Sequence, residues 1–202
     1  MKNVTGWFTY KGIVIQQHDN VEIVFEQLFK MNKPSQILEI GTASGGLTLL
    51  LRDLLDRNSM ENTNIRTYDV DNKHYLNSYI ENGVKIDSRI KDVFNHSYNE
   101  LVEVEEISSY IQNDGVTLVL CDGGSKKNEF RILSDYLKVG DVIMAHDYSP
   151  NENYFQEHIN NKVWNWLEIQ DLDINDSCLK NNLSPYMEDE FRKVVWVCKK
   201  KN

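Results

Sequence analysis

Residues 36–51 read Gln-Ile-Leu-Glu-Ile-Gly-Thr-Ala-Ser-Gly-Gly-Leu-Thr-Leu-Leu-Leu, and this stretch decides the fold. A short apolar run from Ile37 to Ile40 stops at Gly41, and a run of leucines begins after Gly45-Gly46. This order predicts a buried strand, a glycine turn and a helix. Glycines let a backbone approach a ligand closely, and the free N–H groups of a helix start can meet its acceptor atoms. The stretch predicts a nucleotide-binding turn, and a turn that only packs a helix on a sheet is the alternative.

The spacing of the glycines separates two kinds of nucleotide ligand. A dinucleotide fingerprint reads Gly-x-Gly-x-x-Gly and holds a diphosphate at the helix start. Here Glu39 lies just before Gly41, and no second glycine follows until Gly45. An acid that points into the pocket would repel a diphosphate and suit a ligand with ammonium and sulfonium groups, such as S-adenosylmethionine. The residues predicted to hold its methionine part are Glu39, Gly41, Thr42, Ser44, Gly45 and Gly46.

The composition fits a globular protein that binds neither membranes nor nucleic acid. With 202 residues, 41% of them hydrophobic, the chain can form one domain, predicted over residues 1–202 with a cap segment and helix over residues 1–35. It has neither a signal-peptide core nor an apolar run near the roughly 20 residues of a membrane helix, which favours a cytoplasmic protein. A formal charge of −9 argues against a nucleic-acid partner.

Predicted helices and strands alternate on both sides of the glycine turn. Residues 1–18 either fold over the ligand or fray, and Asp19 with Glu22 is a predicted capping box for the helix that follows. A strand over residues 65–70 ends at Asp69, which can accept both hydroxyl hydrogens of a ribose or be simply solvated. The next predicted elements are a helix over residues 71–82, a strand over 84–94 that brings Asp92 to the pocket rim, and a helix over 99–113.

Two adjacent strands are predicted to bring acids together. Strands over residues 117–121 and 141–145 end at Asp122 and His146-Asp147, and the helix over 125–138 between them is long enough to make them parallel. Because adjacent strands lie about 4.8 Å apart, Asp122 and Asp147 could coordinate one hard cation, with His146 as a third ligand or a proton acceptor. Alternatively, Asp122 contacts only the cofactor, and His146 is a buried, hydrogen-bonded side chain.

The last third of the chain is predicted to complete the sheet. A helix near residues 151–165 is followed by Trp166, and this indole and that of Trp164 are expected to pack or to shape a substrate rim. Residues 167–174 and 193–198 are predicted strands that form an antiparallel pair.

Several segments together resemble a known family. Glu-x-Gly-x-x-x-Gly-Gly at residues 39–46 resembles motif I of the class I S-adenosylmethionine-dependent methyltransferases. Residues 7–148 are similar to the cephalosporin hydroxylase and rhamnosyl O-methyltransferase family. The segments that carry this similarity are Gln-Gln-His-Asp at 16–19, Tyr-Asp-Val-Asp at 68–71, Cys-Asp-Gly-Gly at 121–124 and Gly-Asp-Val-Ile-Met-Ala-His-Asp-Tyr at 140–148. The resemblance implies an α/β fold with a Rossmann-like, doubly wound, seven-stranded, mostly parallel sheet and an antiparallel C-terminal strand.

The resemblance also implies cofactors and site residues. S-adenosyl-L-methionine would bind with Asp92 at its adenine, and Mg²⁺ would bind Asp122 and Asp147, where relatives usually have a Glu in place of His146. Relatives commonly have a catalytic His where this chain has Ser125. Because the chain differs at both positions, the base is open among Lys126, Lys127, His146, His96 and activation by the metal alone.

The leading hypothesis is an S-adenosylmethionine-dependent methyltransferase that methylates a small, sugar-like hydroxylated acceptor with help from a divalent metal. The predicted catalytic residues are His146, Asp122 and Lys126, and the predicted metal ligands are Asp122, His146 and Asp147. The alternatives are a metal-independent N- or O-methyltransferase with another acceptor, and a non-catalytic module that binds S-adenosylmethionine. Because relatives are often oligomeric, a homo-oligomer is also expected.

Overall fold

The strands form a hairpin and a seven-stranded sheet in the computed structural model, which describes residues 7–71 and 75–202. The strands are β1 (Trp7–Tyr10), β2 (Ile13–Gln16), β3 (Gln36–Ile40), β4 (Asn64–Asp69), β5 (Asp87–Ile90), β6 (Thr117–Cys121), β7 (Val142–Ala145), β8 (Leu183–Pro185) and β9 (Val197–Lys201). The large sheet has the order β5-β4-β3-β6-β7-β9-β8. Strands β3 to β7 pair in parallel, and β9 is antiparallel to β7 and β8. The predicted doubly wound sheet with an antiparallel C-terminal strand is confirmed.

Helices connect the parallel strands and cover the sheet. They are α1 (Val21–Met31), α2 (Gly46–Arg57), α3 (Asn77–Glu81), α4 (Val104–Gln112), α5 (Lys126–Leu133), α6 (Glu152–Tyr154), α7 (Asp171–Lys180) and α8 (Glu188–Arg192). A 3₁₀ turn at Ser134–Tyr136 follows α5, and a π turn at Phe155–Ile159 follows α6. Within the described residues, every helix is too short or too polar to cross a lipid bilayer.

Two apolar clusters lie on opposite faces of the sheet. Leu118 and Leu120 of β6 belong to the cluster that contains α1 and α2, whereas Val119 and Cys121 belong to the cluster that contains α4, α5 and α7. Successive residues of a strand point to opposite faces. The uninterrupted apolar run of β6 is therefore the pattern of a parallel strand that is covered on both sides.

The segment ahead of α1 is a hairpin that packs on α2. Lys11 and Gly12 form its turn with φ values of +47° and +81°, and two positive φ values are what a type I′ hairpin turn needs. A Cβ atom at Gly46 would lie 2.5 Å from the carbonyl oxygen of Val14 in β2. The hairpin is thus seated directly on the start of α2. Residues 1–6 of the predicted cap segment lie outside the described residues.

The predicted capping box of α1 is wrong. Asn20 is the residue that precedes the helix, and it makes no side-chain cap hydrogen bond. Glu22 pairs with Arg57 of α2 at 2.6 Å instead. The carboxylate that sequence spacing assigns to a local cap therefore joins two helices.

The predicted strand over residues 167–174 is also wrong. Asp171 begins α7, and the Asp173 carboxylate accepts the N–H of Gln170 at 2.9 Å, as at many helix starts. Its place in the sheet is taken by β8, which pairs with β9.

Other predicted elements are present with different bounds. The helices predicted over residues 71–82, 99–113, 125–138 and 151–165 correspond to α3, α4, α5 with its 3₁₀ turn, and α6 with its π turn. The strands predicted over residues 84–94 and 193–198 correspond to β5 and β9. Residues 72–74 of the first predicted helix lie outside the described residues.

Candidate active site

The chain leaves β3 and β6, the central strands, toward opposite edges of the sheet. Gly41 follows β3 and Asp122 follows β6, and the N–H of Asp122 donates to the carbonyl of Ile40 at 2.9 Å. A Cβ atom at Gly41 would lie 2.2 Å from the carbonyl oxygen of Asp122. Open α/β sheets bind ligands in the crevice beyond the carboxyl ends of strands at such a switch point.

Two cavities open at this edge, and they share Gly41, Ala43, Asp122 and Gly123. The larger cavity has a volume of about 410 Å³ and lies between the hairpin, the turn after β3 and the ends of β6 and β7. The smaller cavity has a volume of about 200 Å³ and lies at the ends of β4 and β5. Because they share lining residues, they form one groove of a size that suits a small-molecule ligand.

The predicted turn residues divide between lining and packing. Gly41, Thr42, Ser44 and Gly46 line the larger cavity, whereas Gly45 lines neither cavity. Gly45 has a φ of +84°, and a Cβ atom there would lie 2.4 Å from the Leu76 side chain. The close approaches that require glycine in this turn are therefore made by protein atoms, in addition to any that a ligand makes.

Glu39 is buried beneath the turn. Its side chain is 1% exposed and lines neither cavity, so the expectation that it points into the pocket is wrong. The Thr48 hydroxyl donates to Oε2 at 2.6 Å, and Oε1 has no hydrogen-bond partner among the described residues. Burial raises the pKa of Glu39 to about 7, against the opposite effect of the Thr48 hydrogen bond.

Acidic and aromatic side chains line the smaller cavity. The Asp69 carboxylate accepts the N–H of Ala43 at 2.8 Å, and thereby ties β4 to the turn after β3. Asp92 accepts the N–H of Phe94 at 3.0 Å. The same side chain lines the smaller cavity, as the sequence predicts. The rings of Phe94 and Tyr98 stack with centroids 6.2 Å apart.

Asp122, His146 and Asp147 meet beyond β6 and β7, and we call them the Asp-His-Asp cluster. One potential ligand atom from each lies within 4.8 Å of the others. His146 Nδ1 lies 3.2 Å from Asp122 Oδ1 and 3.3 Å from Asp147 Oδ1. The Trp164 indole N–H donates to Asp147 Oδ1 at 2.5 Å. The predicted convergence of these three residues is therefore what the structure contains.

Gln17 connects this cluster to the hairpin. Its Nε2 donates to Asp122 Oδ2 at 2.7 Å, and its Oε1 accepts the indole N–H of Trp196 at 2.8 Å. The side chain is 2% exposed. The sequence placed Gln17 inside a family-like segment and indicated no role for it, because its partners lie far away along the chain.

Lys126, at the start of α5, enters the cluster as a buried cation. Its Nζ lies 3.1 Å from Asp147 Oδ2 and 3.2 Å from Glu168 Oε2. Burial acts to lower the pKa of Lys126, but the charges of Asp122, Asp147 and Glu168 outweigh it and raise the pKa. A lysine held protonated in this way is a poor proton acceptor.

The other candidate bases lie elsewhere. His96 and Lys127 are exposed and line neither cavity. Ser125 precedes α5, and its N–H donates to the buried Glu129 carboxylate at 2.9 Å. The carboxylate of Glu129 also accepts the N–H of Gly123 at 3.1 Å, so it holds the loop that follows β6.

The donor set of the Asp-His-Asp cluster fits a divalent cation. Carboxylate oxygens suit Mg²⁺ and Mn²⁺, and an imidazole nitrogen suits other divalent metals. Nε2 of His146 is buried without a hydrogen-bond partner among the described residues, so this ring is not fully engaged by protein contacts. Nδ1 of the same ring already lies between the two carboxylates.

Aromatic side chains form the outer rim of the larger cavity. Trp7 of β1 and Trp166 stack with centroids 6.4 Å apart and planes 14° from parallel. They are 50% and 43% exposed, so their faces can be reached from solvent. Trp164 is buried against His146 at 5.0 Å. Of the two expected roles, Trp164 packs and Trp166 shapes the rim.

Comparison with known proteins identifies the fold. No protein-family model matches the sequence, and no curated protein matches it either. An apo structure of CmcI has a TM-score of 0.67 at 15% identity, over 96% of this chain and 76% of that chain. A CmcI structure described as Mg-SAM has a TM-score of 0.62 at 15% identity, over 95% and 76%. An O-methyltransferase family protein from Burkholderia thailandensis has a TM-score of 0.57 at 9% identity, over 90% and 55%.

This chain has a methyltransferase fold. The sequence identities are low, so the similarity concerns the backbone architecture. In this methyltransferase fold both cavities lie at the carboxyl edge of the sheet, beside the turn after β3.

Proposed function

We propose that the chain is an S-adenosylmethionine-dependent methyltransferase that acts on a hydroxyl group of a small acceptor. The observation that carries the proposal is the groove of two joined cavities. One cavity has acids and stacked aromatic rings suited to a nucleoside, and the other contains the Asp-His-Asp cluster. The methyltransferase fold supports the proposal, as does the Mg-SAM description of a similar CmcI structure.

The smaller cavity would hold the adenosine part of the cofactor. The two oxygens of Asp69 each accept one backbone N–H, from Ala43 and from Asp71. Each oxygen retains a lone pair for a ribose hydroxyl. Asp92 would accept hydrogen bonds from the adenine amino group, and the ring pair of Phe94 and Tyr98 would contact the base, because aromatic rings stack on nucleobases.

The larger cavity would hold the methionine part and the acceptor. Thr42 and Ser44 line it at the turn, and Asp122 lies where the two cavities join. Carboxylates at this junction favour a cationic ligand over a diphosphate. S-adenosylmethionine supplies an electrophilic methyl group on its sulfonium when bound.

The cluster would control the proton of the acceptor hydroxyl. Holding the acceptor oxygen in line behind the methyl group supplies much of the rate enhancement. His146 is the proton acceptor we propose, because it lines the larger cavity and its Nδ1 lies 3.2 Å and 3.3 Å from carboxylate oxygens of Asp122 and Asp147. The Lys126 ammonium would stabilise negative charge that develops on the acceptor oxygen. If a divalent cation is bound to Asp122, His146 and Asp147, the cation would acidify the acceptor hydroxyl instead of His146 and Lys126.

The acceptor we propose is sugar-like. The exposed faces of Trp7 and Trp166 at the mouth of the larger cavity offer flat apolar surface, and the nearby acids offer hydrogen-bond acceptors to hydroxyl groups. A cytoplasmic location, a single domain and a homo-oligomer stay predictions from the sequence.

Calorimetric titration with S-adenosylhomocysteine and with NAD tests the proposed function. We expect S-adenosylhomocysteine to bind and NAD not to bind. Asp69→Asn should weaken binding by about tenfold, the value of one charge-assisted hydrogen bond. Asp19→Asn, at a side chain that is 78% exposed, is the matched control and should bind as the wild type does. Binding of NAD alone would contradict the proposal, and transfer measured with and without EDTA separates metal-assisted from metal-independent chemistry.

A further inference from the structure

The Lys126 ammonium is paired with the two carboxylates that a metal ion on the cluster would use. Its Nζ is 3.1 Å from Asp147 Oδ2 and 3.7 Å from Asp122 Oδ1. The side chain is 8% exposed, so these contacts are made away from bulk water. The two carboxylates that would provide most of the negative charge for a divalent cation are therefore already paired with a cation of the chain.

A metal and the ammonium cannot share these oxygens without strong repulsion. Metal–oxygen bonds for Mg²⁺ are about 2.0–2.1 Å long, so a metal on Asp122 and Asp147 would lie within a few ångströms of Nζ. Like charges at that distance repel strongly in a partly buried site. Lys126 has to move when the metal binds.

Glu168 gives the displaced lysine an alternative partner. Its Oε2 lies 3.2 Å from Nζ, and its side chain is 43% exposed. It is not one of the three residues whose ligand atoms converge. A small rotation of the flexible lysine side chain could therefore preserve this ion pair while the two aspartates are released.

We propose that the Lys126 ammonium and a divalent cation are alternative occupants of the Asp122 and Asp147 carboxylates, so that Lys126 sets the metal affinity of the site. The inference rests on the cation site of the proposed function. The chain carries its own counter-charge at low metal concentration, and a metal binds only by displacing it. Metal affinity in this protein is thus determined by a residue that is not a ligand.

Titration of the full chain with Mn²⁺, followed by calorimetry and by the paramagnetic resonance signal of free Mn²⁺, tests this inference. Lys126→Met retains the length of the side chain and removes its charge, and we expect it to bind Mn²⁺ at least about tenfold more tightly than the wild type. Lys127→Met removes the same charge from the neighbouring exposed residue and should match the wild type. Equal or weaker Mn²⁺ binding by Lys126→Met would overturn the proposal. If Lys126→Met does not fold, Lys126→Gln carries the same expectation, since it is also neutral and can donate hydrogen bonds.

A second variant distinguishes an alternative partner from a metal ligand. Glu168→Gln removes the ion-pair partner that the displaced Lys126 ammonium would keep. It should therefore weaken Mn²⁺ binding when Lys126 is present and have no effect in the Lys126→Met background. An equal loss in both backgrounds would mean that Glu168 binds the metal, and would overturn this part of the argument. S-adenosylhomocysteine binding is measured on the same proteins. If the proteins bind S-adenosylhomocysteine but have the same Mn²⁺ affinity, only the role of Lys126 is rejected. If the wild type does not bind S-adenosylhomocysteine, the proposed function is rejected.

Discussion

The effect of Glu39→Gln on the free energy of unfolding, relative to the wild type, should be more favourable at pH 8 than at pH 5. Glu39 is buried, and its pKa rises from 4.5 to about 7 in the folded chain. A carboxyl group with a raised folded pKa binds more protons in the folded state than in the unfolded state between these values, so it loses stability as the pH rises through that window. The pKa difference of about 2.5 corresponds to a free energy of about 3.4 kcal/mol. About 2.5 kcal/mol of this free energy of unfolding is lost between pH 5 and pH 8.

The substitution has a second effect that does not depend on pH. The Gln amide group would replace Oε1, which has no hydrogen-bond partner among the described residues, and an unsatisfied buried donor costs about 1–3 kcal/mol. This cost is the same at both pH values. The measured quantity is therefore the free-energy difference between Glu39→Gln and the wild type at pH 8 minus the same difference at pH 5, which should be about 2.5 kcal/mol.

Urea unfolding of the ligand-free protein at pH 5 and pH 8 provides this quantity. Glu106→Gln is the matched control, because the hydrogen bond from Tyr68 lowers the pKa of Glu106 to about 2, against the effect of burial. The stability that a lowered pKa contributes is present above the unfolded pKa and is lost only toward acid, so the control should be nearly flat over this window. Burial also raises the pKa of Glu129 to about 7. Because Glu129 is present in every protein compared, its contribution cancels from the difference. A Glu39→Gln difference that is the same at pH 5 and pH 8 would refute the reasoning.

Three further substitutions test other contacts. Gly46→Ala places a Cβ atom 2.5 Å from the Val14 carbonyl oxygen and should destabilise the fold by about 1–3 kcal/mol in urea unfolding; an unchanged midpoint would show that the hairpin can lift without cost. Trp166→Ala removes one face of the rim and should raise the KM for the acceptor up to about tenfold with kcat and cofactor affinity unchanged; a change in kcat alone would contradict a rim role. Gln17→Ala leaves the buried indole N–H of Trp196 without its acceptor and should cost about 1–3 kcal/mol of stability; no loss would mean that a water takes its place.

The sheet could be predicted from the sequence because parallel strands covered on both faces leave a plain signal. Residues 118–121 form an unbroken apolar run, and the predicted strand over residues 117–121 has the same bounds in the structure. Residues 167–174 contain alternating apolar and polar side chains that suit a strand, but they end in a helix that begins at Asp171. Local alternation does not decide between the two, because the choice depends on what packs against the segment. The hairpin of residues 7–16 leaves no such signal, because its turn has Lys11 where hairpin turns usually have Asn or Asp.

The site could be predicted only where backbone topology fixes it. Asp122 and Asp147 follow neighbouring parallel strands, so their proximity follows from the order of the strands alone. The contact between Lys126 and Glu168, and the burial of Glu39 behind the turn, depend on side-chain directions that no spacing rule contains. The predicted roles of these residues in binding and catalysis stay predictions.

The hydrogen bond between Gln17 and Trp196 has a consequence for the order in which the groove can form. The two residues are 179 positions apart, and the same Gln17 amide is bonded to Asp122. Until the ribosome has synthesised Trp196, the residue just before β9, the Gln17 amide has no indole partner. A nascent chain can assemble the central strands early, but the groove of the candidate active site should form only after translation has passed Trp196.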